Sequence, residues 1–174
     1  MALVTERDER LYILAAFAIF LATIEYMVPK PFPFMRLGLA NLPILISLAI
    51  FTPRQVLLLT LYKVLGQGLL QGTLFSYIFL FSIIGTFTGS LVMLAIHRLL
   101  GRWAGLVGIS VCGAFAGNLM RLYLARYVLF GEQVWIIAPP FLIMGLISSL
   151  LLGIFAASFL KKSSWCNSIP EAGT

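Results

Sequence analysis

Three ionisable residues, Glu25, Lys63 and Arg121, stand inside otherwise apolar runs of this sequence. A charge placed in hydrocarbon costs roughly 2.5–3.5 kcal/mol on insertion scales, so each suggests a function by default. Amides accompany them. Lys63, Gln67 and Gln71 are spaced i, i+4, i+8 and share one helix face. Asn118 lies one turn before Arg121, and Asn41 belongs to the step Gly-Leu-Ala-Asn-Leu-Pro that opens another apolar run. Arg36, Lys63 and Arg121 face Glu25 alone. An ion pair of Glu25 with Lys63 or Arg121, with amides bridging helices, would account for the charges without a ligand. The surplus of donors points instead to an anionic or polar solute.

Enzyme chemistry has little to work with. Asp8 is the sole aspartate, so there is no Ser/His/Asp set and no paired aspartate-rich motif to hold magnesium-diphosphate. No Walker A loop and no Cys/His metal spacing occurs. No catalytic residue, metal or cofactor is expected, and any ATP-driven step would need separate subunits.

The elements that must position these groups are apolar helices. The chain has 174 residues, 61% apolar and 10% charged, and its mean hydropathy is +1.04. That composition predicts an all-α integral membrane protein. The net charge of +6 reflects basic residues at the ends of apolar runs, which orient spans in a bilayer and need no nucleic-acid partner. Cys112, within an apolar run, reads as a small packing residue, and His97 as interfacial. The segment MALVTERDER, mixed in charge and followed by a run without a small-residue cleavage site, predicts an uncleaved first span.

Six segments are expected: 11–28, 37–51, 55–72, 75–100, 103–128 and 134–160. The second has 15 residues, about 22 Å of helix against a core of about 30 Å, so it is short or broken. Residues 11–160 then form one six-helix membrane domain between a cytoplasmic N-terminus (1–10) and a cytoplasmic polar tail (161–174). Arg7, Arg10, Arg54, Arg98, Arg102, Lys161 and Lys162 gather on the side of both termini. The loop from Pro29 to Arg36 falls outside, and the polar residues of four segments converge on the external half. Phe32, Phe34, Phe75 and Tyr123 would stack on a flat ligand or serve as interfacial anchors. Small residues four apart, from Gly68/Gly72 through Gly85/Gly89 and Gly113/Gly117 to Gly145/Ser149/Gly153, predict close helix approach.

The stretch PFPFMRLGLANLPILISL, followed by LYKVLGQGLLQGTLFS, resembles the Gx transporter family. Its members are often labelled heptaprenyl diphosphate synthase component I, and the family is similar to the S components of energy-coupling factor (ECF) transporters. The resemblance implies a six-transmembrane-helix bundle of S-component type in a bacterial inner membrane. It further implies a vitamin-like small-molecule solute bound from outside, and dependence on a membrane coupling subunit and ATPase subunits. Glu25, Arg36, Asn41, Lys63, Gln67, Gln71, Asn118 and Arg121 would bind the solute. Ala18 and Ala22, with Ala15 on nearly the same face, fit the S-component Ala-x-x-x-Ala docking motif. The synthase label implies an alternative, a membrane accessory subunit of a polyprenyl (heptaprenyl) diphosphate synthase.

Overall fold

A computed structural model describes residues 2–28, 38–100 and 105–162, with side chains from residue 9 onward. The described residues are helical and contain no strand. Helix α1 covers Ala2–Met27. It begins well before the apolar run because the charged N-terminal residues are good helix formers with no Gly or Pro among them.

A 3-10 turn, Leu39–Asn41, leads into α2, Leu42–Ile50, with Pro43 in its first turn, where a missing N–H costs nothing. Together they make twelve helical residues, about 18 Å. Seven consecutive residues, Leu42 to Leu48, are buried. A helix apolar all round belongs inside a bundle, and α2 touches α1, α3, α4 and α6. The short second segment is therefore a buried central helix that cannot cross a bilayer alone.

Helix α3, Pro53–Leu70, opens on a capping box: the Thr52 N–H donates to Gln55 Oε1 at 3.1 Å. Its end is a Schellman motif. The Thr73 N–H reaches the Gly68 carbonyl at 3.0 Å and the Gly72 N–H reaches Leu69 at 3.2 Å, with Gly72 left-handed at φ 63. Gly72 thus ends a helix and has nothing within 4 Å of where a Cβ would sit, which corrects the expectation that it packs helices. Thr52→Ala is expected to cost about 1 kcal/mol, read as a lower melting temperature with unchanged helicity.

Helices α4 (Tyr77–Leu100) and α5 (Leu106–Ala125) lie along one another, and α5 packs as extensively on α6 (Val134–Lys162). A π-turn, Arg126–Phe130, and a 3-10 turn, Gly131–Gln133, join α5 to α6, braced by an ion pair of Arg126 with Glu132. The α4–α5 seam is built of glycines, as expected. A Cβ at Gly117 would lie 2.6 Å from the Gly85 carbonyl oxygen, and one at Gly89 3.0 Å from that of Gly113.

Unlike a water-soluble protein, the molecule buries charged side chains and exposes apolar ones. Glu25, Lys63, Gln67, Asn118 and Arg121 are at most 5% exposed, whereas Ile143, Ile147, Leu151 and Phe155 form an exposed apolar stripe down α6. Such a surface suits hydrocarbon. Glu9–Met27, Tyr77–Leu100 and the stretch Leu106–Lys162, which holds α5 and α6, are long and apolar enough to cross a membrane. Helix α3, with Arg54, Gln55, Lys63 and Gln67, is too polar to join them.

Two expectations are corrected here. Ala15, Ala18 and Ala22 are 5%, 0% and 0% exposed. Small side chains let α1 approach its own neighbours, α3 foremost, so these alanines are internal packing and not a free docking surface. The outward face of α1 carries Tyr12, Ile13, Phe17 and Phe20 instead. Cys112 is exposed on α5 and so is not a packing residue.

Candidate functional site

The site begins at the turn before α2. Gly38 is left-handed at φ 88, a conformation that glycine adopts without strain. This turn, leading into the first helical residues, aims two backbone donors at α1. The Gly38 N–H donates to Glu25 Oε1 at 3.2 Å and the Ala40 N–H to Glu25 Oε2 at 3.3 Å. Glu25 is 1% exposed. Its carboxylate sits at the start of the Leu39–Ile50 helical segment, where unsatisfied N–H groups favour negative charge.

One residue on, the Asn41 side-chain oxygen accepts from Lys63 Nζ at 2.6 Å, tying the same turn to α3. From α5, Arg121 Nη1 donates to Asn118 Oδ1 at 3.0 Å and Nη2 to Thr86 Oγ1 of α4 at 3.4 Å. Two glycines make room for this pair. A Cβ at Gly85 would meet the Arg121 guanidinium at 2.5 Å, and one at Gly145 would collide with the Asn118 amide.

These groups enclose two small adjoining cavities. One, of ≈ 10 Å³, is lined by Glu25, Gly38, Asn41, Lys63, Gln67, Thr86 and Arg121, among others. The other, of ≈ 20 Å³, lies among α2, α4, α5 and α6 and includes Asn118 in its wall. Both share Gly38, Asn41 and Arg121. A cavity of the larger size holds about one water. The site is therefore too small as it stands for a vitamin-sized solute, which would require the helices to separate. Among the described residues no three His, Cys, Asp or Glu side chains gather as metal ligands would.

Of the residues singled out from sequence, Glu25, Asn41, Lys63, Gln67 and Arg121 come together in one wall, with Asn118 directly behind Arg121. Gln71 lines neither cavity. It is the C-cap residue of α3, accepts from Gln67 Nε2 at 3.2 Å and donates to the Ala22 carbonyl of α1 at 3.2 Å. It bridges two helices. Arg36, Phe32 and Phe34, and the loop from Pro29 to Arg36 expected as a lid, lie outside the described residues. Phe75 is fully exposed, and Tyr123 meets Trp135 edge-on at 6.3 Å between centroids, so neither faces the cavity. Thr86 and the donors of Gly38 and Ala40 were not anticipated. The run Gly-Thr-Phe-Thr-Gly-Ser at 85–90, hydroxyls amid small residues, was the available signal for Thr86.

Fold and site together define an all-helical protein with an apolar exterior and a buried, cation-rich polar pocket. The chain belongs to the heptaprenyl diphosphate synthase component I family, whose model matches residues 14–159. No curated protein and no solved structure matches it.

Proposed function

We propose that this protein is a six-helix integral membrane subunit that binds a small anionic or polar solute in the external half of its bundle, in the manner of an ECF S component, with no catalysis of its own. The observation that carries the reading is the convergence of Lys63, Arg121, Glu25, Asn41 and Gln67 from four separate elements on one buried pocket. Buried charge of this kind is costly to maintain, and a pocket that must first open suits a carrier that alternates between closed and loaded states. Coupling and ATPase subunits would supply the energy. With the alanines of α1 buried, the exposed aromatic face of α1 is the surface left for them on that helix.

The family's own description supports a second reading, an accessory membrane subunit of a prenyl diphosphate synthase, in which the same cations would hold a diphosphate. Purification from the native host separates the two. Co-elution of ATPase and coupling subunits, with a small molecule identified by mass spectrometry, is expected for the solute-binding reading. A soluble prenyl synthase in their place would sink it. The orientation is tested by a reporter at the C-terminus, which is expected to be active only as a cytoplasmic fusion.

A further inference from the structure

Among the described residues, three amide side chains line the two cavities: Asn41 both of them, Gln67 the smaller and Asn118 the larger. One end of each is committed to a partner that fixes which way the amide points. An ammonium or a guanidinium can only donate, so Asn41 turns its Oδ1 to Lys63 and Asn118 its Oδ1 to Arg121, at 2.6 and 3.0 Å. Gln67 is fixed at one remove. The Ala22 carbonyl can only accept, so Gln71 must turn its NH2 to Ala22 and its oxygen to Gln67. Gln67 therefore commits its NH2 to Gln71.

The opposite ends are left over. Among the described residues, Asn41 Nδ2 and Asn118 Nδ2 meet no acceptor, and Gln67 Oε1 meets no donor. Gln67 and Asn118 are 2% and 5% exposed, so bulk water scarcely reaches them. A buried amide end without a partner is costly, and these ends belong to side chains in the walls of adjoining cavities.

We infer that the solute carries an uncharged amide-type edge, a carbonyl beside an N–H as in a lactam or cyclic imide. Its carbonyl oxygen accepts from the NH2 groups of Asn41 and Asn118, and its N–H donates to Gln67 Oε1. This rests on the solute-binding reading and leaves Lys63 and Arg121 to any anionic part of the same molecule. Because the amides cannot turn over without breaking their bonds to Lys63, Arg121 and Gln71, the pattern is selective. A solute lacking the N–H would leave Gln67 Oε1 buried and unpaired.

The probes are glutarimide and N-methylglutarimide, two neutral rings with the same carbonyls, of which the second lacks the N–H. Each is titrated calorimetrically into the full chain in detergent. The unaltered protein is expected to bind glutarimide about tenfold or more tighter. Gln67→Leu is expected to bring the two within about threefold by weakening glutarimide alone. Asn118→Asp keeps an oxygen for Arg121 but loses the NH2, and is expected to weaken both probes about tenfold.

Equal binding of the two probes by the unaltered chain overturns the inference, as does binding of neither. So does a preference that survives Gln67→Leu. If Gln67→Leu lacks a cooperative melting transition, Asn118→Asp decides, and undiminished binding there overturns the inference. The solute-binding reading is judged separately, on what co-elutes from the native host. A co-eluting solute with no carbonyl beside an N–H would leave that reading standing and remove the amide edge.

Discussion

Lys63→Met is expected to reduce solute uptake by about 100-fold or more. Lys63 Nζ lies 2.6 Å from Asn41 Oδ1 and the residue is 4% exposed, so its charge acts where water screens little. Truncating one partner of a buried, hydrogen-bonded charge pair at a binding surface costs roughly 2–5 kcal/mol of binding, and about 1.4 kcal/mol is a factor of ten in affinity. Met conserves length and packs among the same neighbours, so the protein should still reach the membrane and melt cooperatively. The check is transport of the co-purified solute by membranes holding equal amounts of each protein. Uptake within threefold of the unaltered chain would remove Lys63 from the site.

The second large effect concerns the seam and not the pocket. Gly117→Val is expected to destabilise the fold by about 2–3 kcal/mol. The first carbon of the new side chain would lie 2.6 Å from the Gly85 carbonyl oxygen, a backbone atom that cannot rotate away. Helices α4 and α5 must then part, at the cost typical of overpacking. Gly108→Ala is the control. It lies in the same helix with nothing within 4 Å, so it should be neutral or stabilising by up to about 1 kcal/mol. Unfolding in increasing denaturing detergent compares the two. Equal midpoints would mean that the seam is not close-packed in solution.

The site was legible in sequence to the extent that side-chain chemistry and depth govern it. Glu25, Lys63 and Arg121 are conspicuous because charge is rare in this chain, and all three line one cavity. What eluded the sequence was of two kinds. The donors that hold Glu25 are backbone N–H groups aimed by a left-handed Gly38, and residue type does not reveal backbone direction. Periodicity gave the face but not the partner. Gln71, the C-cap of α3, stays in line with Gln67, from whose Nε2 it accepts, but its own amide donates to the Ala22 carbonyl and it lines neither cavity. The alanines of α1 show a related ambiguity. A small residue permits close approach without saying whether the neighbour belongs to the same chain, and here burial of Ala18 and Ala22 assigns it to this one. The helical class followed from composition alone.

The burial of α2 bears on how the chain is assembled during synthesis. A twelve-residue segment has too little apolar length to be released sideways into lipid as an independent unit. Only a two-residue break, Phe51–Thr52, separates it from α3. Its natural companion is α3, whose own polar residues make it a poor solitary inserter. The two are therefore expected to enter the bilayer as a pair. A ribosome-bound chain stopped between them would leave α2 waiting at the translocation channel until α3 emerges.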